Sequence, residues 1–435
     1  MLLFNPVVLS VIVMSALCLL KLNVLISILI AALVAGGVAG MGLSGTISTL
    51  IGGMGGNAET ALSYILLGTL AVAINHTGVA SILSRKIASL VNGKKYVLLC
   101  FIAFIACFSQ NLIPVHIAFI PILIPPLLKL MNQLKVDRRA MACSLAFGLK
   151  TPYITLPVGF GLIFHGILAK EMANNGMEVA KTAIYKPLWI LGVAMLIGVL
   201  LAIFVTYRKP REYQDLPLKG MEEVISEKME LKHWLTLVAA ILAFVVQILT
   251  GSLPLGALAA LIALFVFGCI KWNEIDTMLN GGIQIMGLIA IIMLVAAGYG
   301  TVIRETGAVA ELINALVGMV GGSKAIGAFA MLIVGLLITM GIGTSFGTIP
   351  VVATIYVPMC IHLGFSVEST VILMAAAAAL GDAGSPASDT TLGPTSGLNA
   401  DGQHEHIWDT CVPTFLHFNV ALIIGAMIGS LMIYG

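Results

Sequence analysis

Asp382 and Asp389 stand seven residues apart in LGDAGSPASDTTLGPTSG (380–397), interleaved with the hydroxyls of Ser385, Ser388, Thr390, Thr391, Thr395 and Ser396 and interrupted by Pro386, Pro394 and four glycines. Carboxylates and hydroxyls are the hard oxygen donors that replace water around a small cation. A carboxylate held in a low dielectric can also take up a proton, so one such site can serve either ion. The reading is a cation site centred on Asp389, with Ser388 beside it as a Na⁺ ligand and Asp382, Ser385, Thr390 and Thr391 as neighbours. The plainer alternative has the aspartates capping half-helices or pairing with Lys150.

Lys150 is the only Asp, Glu, Lys or Arg between Arg139 and Lys170, and it directly precedes Thr151 and Pro152 in LKTPYITLPVG, with Thr155 close behind. A charge at the bilayer centre costs about 2.5–3.5 kcal/mol on insertion scales. Lys150 therefore pairs with an aspartate, receives a solute carboxylate, or snorkels to the interface. FSQNLIPVHIAFIP (108–121) and GIGTSFGTIPVVATIYVP (341–358) form a second pair of proline-broken polar stretches. There Asn111, His116, Thr344 and Ser345 supply neutral ligands or exposed backbone, unless the small residues serve helix packing.

The elements that must position these groups are membrane helices. With 59% hydrophobic residues, 10% charged residues and a mean hydropathy of +1.07, the chain lies far outside the soluble range. Residues 96–128, 187–207, 233–270, 277–303, 325–367 and 410–435 contain no Asp, Glu, Lys or Arg. A spanning helix needs about 20 apolar residues, so several of these runs hold two spans. Strand alternation is absent, so the expected fold is an all-α polytopic bundle with about 11 to 14 membrane segments. The first apolar run has no Lys or Arg before Lys21 and reads as a retained helix rather than a cleaved signal.

Proline and glycine inside a span free backbone groups that hydrocarbon cannot satisfy, so such breaks survive only beside a protein-lined cavity. These breaks recur at matching places. NHTGVASILSRKIASLV (from Asn75) resembles RETGAVAELINALVGMV (from Arg304), NLIPVHIAFIP resembles GTIPVVATIYVP, and LKTPYITLPVG resembles AGSPASDTTLGPTSG, at offsets of 229, 236 and 234 residues (Thr77 to Thr306, Pro114 to Pro350, Pro152 to Pro386). Paired interruptions in two halves point to a substrate site near the midplane. First-half loops carry Arg85, Lys86, Lys94, Lys95, Lys135, Arg138 and Arg139, whereas the matching second-half loops carry Lys324 with Glu311 and Glu368. Because bases favour the cytoplasmic side, the copies are expected to be inverted. The expected division is a first repeat over 1–206, a charged cytoplasmic linker over 207–232 and a second repeat over 233–435.

Other chemistries lack a carrier. Seven cysteines form no CxxC pair, and no GxxxxGK[ST], GxSxG or HExxH occurs. His404 and His406, two apart, point away from each other on a helix and do not make a metal site. Asn75-His76 and Arg304-Glu305 each precede Thr-Gly and read as helix-end caps. A net charge of +2 without a basic patch gives no reason to expect nucleic acid. No enzyme activity and no cofactor are expected.

GDAGSPASDTT (381–391) resembles the GDK-x-SPLSDTT signature of NhaC-type sodium/proton antiporters in the ion transporter superfamily, and GTSFGTIP (343–350) is similar to that family's GSSWGT stretch. The resemblance implies two repeats, broken central helices or re-entrant hairpins, and ion-coupled alternating access. Two positions depart from it: the signature lysine is Ala383, and Leu392-Gly393-Pro394 replaces the asparagine that follows Asp-Thr-Thr. GPTSGLNADGQHEHIWDTCVPTF (393–415) resembles a side branch that includes amino-acid permeases, histidine importers among them. The expected function is a secondary transporter coupled to Na⁺ or H⁺, of the antiporter type, with a cation-coupled permease for an amino acid or small organic acid as the alternative. Its expected setting is the cell inner (cytoplasmic) membrane as a multi-pass protein. Its expected partners are the lipid bilayer, a small cation, a small carboxylate-bearing solute and a second copy in a homodimer.

Overall fold

The computed structural model describes residues 4–91, 93–108, 119–158, 160–218, 229–309, 311 and 322–435, and every regular element among them is helical. In the first half these are α1 (Pro6–Leu19), α2 (Val24–Val38), α3 (Gly42–Gly53), α4 (Ala58–Thr77), α5 (Val79–Val91), α6 (Lys95–Phe108), α7 (Phe119–Gln133), α8 (Arg138–Thr155), α9 (Phe160–Asn174) and α10 (Lys181–Leu201). The second half contributes α11 (Leu231–Thr250), α12 (Leu253–Val266), α13 (Ile275–Glu305), α14 (Lys324–Ile342), α15 (Ser345–Leu363), α16 (Val367–Ala379), α17 (Asp389–Leu398) and α18 (His406–Ile433). Among the described residues five helices are long and apolar enough to cross a membrane, or eight if each of three bent pairs is one span. Asn111 and His116 lie outside the described residues.

Helix ends follow local chemistry. Asn5, Asn23, Asp137, Ser323 and Ser366 each accept a backbone N–H of the following first turn. The two Thr-Gly pairs 229 residues apart build the same end: Thr77 and Thr306 each donate a hydroxyl to the carbonyl three residues back at 2.7 Å, and Gly78 and Gly307 follow at φ +88° and +68°. That left-handed backbone is the region where glycine carries no Cβ penalty.

Helices at matching places run antiparallel. On α4 and α13, Asn57 bonds the Met293 carbonyl while His76, at the far end of α4, lies 3.6 Å from Glu274. Their axes approach so closely that a Cβ on Gly282 would sit 2.4 Å from the Thr69 amide nitrogen, the small-residue contact typical of membrane helices. On α10 and α18, Gly198 touches the His417 carbonyl, whereas Gly429 lies against Ile190. Cross-packing is reciprocal as well: α7 lies on α17 and α15 on α9, and α3 lies on α13 and α12 on α4.

Residues 207–218 form an extended strap, held more firmly than a solvated connector. The Lys95 ammonium donates to the Arg208 carbonyl at 2.6 Å, the Tyr213 hydroxyl accepts the Arg138 N–H at 3.1 Å, and Gln403 donates to the Gln214 carbonyl at 2.7 Å. These bonds tie the strap to the starts of α6 and α8 and to the turn that follows α17.

Candidate functional site

α16 ends on five consecutive buried alanines, Ala375 to Ala379, and the chain unwinds through residues 380–388 before Ser388 caps α17 by accepting the Thr390 N–H at 3.1 Å. Gly381 and Gly384 take φ +80° and +117° within that stretch. A Cβ on either would collide, with the Leu336 carbonyl in one case and with Phe415 in the other, each at 2.6 Å.

The unwinding presents Asp382, 3% exposed, to Lys150 on α8, 1% exposed, with the ammonium 2.7 Å from the carboxylate. Ser345, at the first turn of α15, donates to the same carboxylate oxygen at 2.8 Å, and the Tyr153 hydroxyl reaches it at 3.3 Å. Tyr153 and Ser345 are themselves 3.0 Å apart. With the serine proton on the carboxylate, the tyrosine hydroxyl donates toward the serine oxygen and the same carboxylate. Ser388 donates to the second carboxylate oxygen in a short bond, and Thr390 stands 3.4 Å from it while donating to the Asp382 carbonyl at 2.8 Å. The first turns of α15 and α17 thus both converge on one anion, where helix dipoles favour negative charge. Tyr153, Phe164 and Phe346 pack ring to ring, with centroids 5.3–5.8 Å apart, beside the pair.

Of the residues singled out by sequence, the structure gathers Lys150, Ser345, Asp382, Ser388 and Thr390. Asp389 is the first residue of α17, half-buried, with the Ser388 hydroxyl 3.5 Å away. Asp382 is thus the carboxylate on which the hydroxyls of Ser345, Ser388 and Thr390 converge. Thr391 donates to the Ser385 carbonyl at 2.6 Å and the Ser385 hydroxyl accepts the Ala387 N–H, so both brace the unwound loop. Thr151 faces the Met195 sulfur on α10 and Thr155 bonds back to the Thr151 carbonyl, while Thr344 is exposed at the N-cap position of α15. Pro152 leaves α8 unbroken: the helix continues to Thr155 and yields near Pro157, where α8 and α9 meet at 48°.

Sequence reasoning missed Tyr153, although three residues after Lys150 on a helix is the same face. It also read Arg138 as a loop charge. Arg138 is fully buried and grips Asp401 with two bonds of 2.7 and 2.6 Å, while its guanidinium also donates to the Leu398 carbonyl at the end of α17 and stacks 4.2 Å from the Tyr213 ring. Arg211 pairs with Asp409 at 2.7 Å alongside. His406 donates from Nε2 to the Pro386 carbonyl at 2.9 Å, because a carbonyl can only accept, and its Nδ1 lies 2.8 Å from the Thr395 hydroxyl.

Comparison with known proteins matches residues 144–430 to the Na⁺/H⁺ antiporter family and residues 5–91 to a second Na⁺-H⁺ antiporter family. An uncharacterized membrane protein of Vibrio parahaemolyticus is 48% identical over 441 residues, covering 99% of this chain and 100% of that protein. The putative amino acid transporter YuiF of Bacillus subtilis is 46% identical over 444 residues, covering 99% and 100%. The solved structure of Neisseria gonorrhoeae MtrF, from a class described as antimetabolite efflux pumps, aligns at a TM-score of 0.47 and 15% identity over 90% of this chain and 85% of that one.

Proposed function

The chain is a multi-pass membrane protein that belongs to the Na⁺/H⁺ antiporter family, and from that premise we propose that it exchanges Na⁺ for H⁺ at Asp382 in the cell inner membrane. The observation that carries this reading is a single buried carboxylate shared with a single buried ammonium, one from each half of the chain. Lys150 and a dehydrated Na⁺ neutralise the same charge in a low dielectric, so each excludes the other. Entry of Na⁺ onto Asp382 therefore requires Lys150 to withdraw or to release its proton, and departure of Na⁺ lets the proton return. The hydroxyls of Ser345, Ser388, Thr390 and Tyr153 now donate to or stand beside the carboxylate. Turned about their C–O bonds, they offer lone pairs to a hard cation instead. Antiparallel matched helices support an inverted repeat whose halves rock about this point.

The test uses purified protein in liposomes with an imposed pH gradient, read by a proton-sensitive dye on addition of Na⁺. Wild type should release protons on Na⁺ alone, Asp382→Asn should be silent, and Asp389→Asn should keep a measurable response. Wild-type exchange by Asp382→Asn sinks the assignment. A second reading, a cation-coupled permease for an amino acid or small organic acid, is favoured by the amino-acid transporter name of the relative that matches nearly the whole chain. Lys150, committed to Asp382, is then not the receptor of the solute carboxylate.

A further inference from the structure

We propose that a recess beside α17 binds a zwitterionic α-amino acid, and that its occupancy is linked through α17 and His406 to the state of Asp382. The inference rests on the permease reading above and supplies the solute site that reading lacks.

The recess encloses about 340 Å³. Small-molecule sites span roughly 300–1,000 Å³, so this one suits a metabolite-sized solute. Its polar walls come from four places in the chain: Thr395 on α17 with Asn399 at its C-cap, Gln284 on α13, Lys21 in the turn between α1 and α2, and Glu405 with His406 at the start of α18. Gln284 interrupts an otherwise uncharged, largely apolar stretch of α13, and it is exposed and lines the recess. Lys21 and Glu405 make no ion pair with each other or with any other described residue. One free ammonium and one free carboxylate thus share a small cavity. A dicarboxylate would have to face Glu405, a diamine would have to face Lys21, and a neutral solute would leave both charges unanswered. An α-amino acid answers both at once.

The recess and the cation site share one helix. Ser388 and Thr390, at the start of α17, hold Asp382, and Thr395 in its second turn and Asn399 just past its end line the recess. His406 closes the circuit by bonding the Pro386 carbonyl in the unwound stretch and approaching Thr395 in the recess wall. Asp389 lies on the helix face of Leu392 and Ser396, which also line the recess, three and seven residues on. A shift of α17 when Na⁺ replaces Lys150 at Asp382 therefore moves a wall of the solute site, which is a coupling free energy between two sites.

The experiment measures saturable binding of radiolabelled L-α-amino acids, one at a time, to the full chain in detergent, with and without Na⁺. The tightest binder is then compared with its decarboxylated amine and its deaminated acid. At least one amino acid should bind, and both analogues should bind at least about tenfold more weakly, as expected when a charge in the site loses its partner. Lys21 sits at φ +67°, so Lys21→Gly removes the charge while easing the backbone. That variant, monodisperse on size exclusion, should lose binding, as should Glu405→Gln. Na⁺ should shift wild-type affinity and do so less in His406→Gln. If no amino acid binds to protein that still exchanges Na⁺ for H⁺, this inference fails and the antiport reading stands. Equal binding of amine, acid and parent, or unchanged binding in both charge variants, also overturns it. Saturable binding by protein with no Na⁺ response supports the solute site and overturns the antiport reading instead.

Discussion

Pro152 and Pro386 occupy matching places in the two halves, yet the chain treats them oppositely. α8 runs through Pro152 without interruption, whereas Pro386 lies in nine residues that are not helical. A proline in a helix removes one N–H and leaves one carbonyl, here that of Gly148, without its usual donor. Around Pro386 the chain also has Gly381 and Gly384 at positive φ and Ser388 ready to start a new helix. Unwinding is thus set by the left-handed glycines and the new cap, with proline as an accomplice. The ammonium of Lys150 thus stands on a continuous rod of helix, and the carboxylate it meets stands on a non-helical loop.

The largest effect should come from cutting the link between rod and loop. Truncating one member of a buried ion pair strands the other charge and costs about 3–5 kcal/mol. Lys150→Met and Asp382→Leu should each lower the unfolding midpoint in detergent sharply, and the double variant should recover much of the loss without recovering Na⁺ exchange. Single variants as stable as wild type would show that the pair does not order the break.

Next in size is a contrast between the two regions themselves. Gly384→Ala forces a side chain to φ +117° with its Cβ 2.6 Å from Phe415. Strained backbone alone costs about 1–3 kcal/mol, and the collision adds to it, so both stability and exchange should fall. Pro152→Ala restores a donor inside a helix already formed, and it should leave stability unchanged or raise it by less than about 1 kcal/mol. If Pro152→Ala abolishes exchange while the fold is intact, the rod is a hinge after all.

The sequence made the helical class legible because uncharged runs of 27 to 43 residues, such as 277–303 and 325–367, leave little else to build. The likeness of Thr77-Gly78 to Thr306-Gly307 was legible because a helix end is a local event, settled by two residues. The site was legible as a segment, and which of its two carboxylates gathers Ser345, Ser388 and Thr390 was not. Asp389 sits among the hydroxyls in sequence, but Asp382 sits among them in space, because the chain doubles back at Gly381 and Gly384 and brings Ser388 and Thr390 onto the earlier carboxylate. Tyr153 and Arg138 depend on partners 229 and 263 residues away. No local pattern reports such contacts.

The smallest effects separate the two sides of the cluster, using one hydroxyl from each. Tyr153 belongs to the rod, and Ser345, 3.0 Å from it, still donates to Asp382 once the tyrosine hydroxyl is gone. Tyr153→Phe therefore removes about one hydrogen bond, a net loss of roughly 0.5–1.5 kcal/mol, and should weaken apparent Na⁺ affinity only a few-fold. Ser388 belongs to the loop and holds two bonds at once, donating to Asp382 while capping α17 through the Thr390 N–H. Ser388→Ala loses the carboxylate bond and a cap worth about 1 kcal/mol. It should cost more stability than Tyr153→Phe and shift the Na⁺ dependence further, because the helix it releases is the one that holds Thr390 on Asp382. Titrating Na⁺-driven proton release in the two variants side by side ranks them. A larger shift in Tyr153→Phe would place the moving part on α8 and reverse the division of labour between rod and loop.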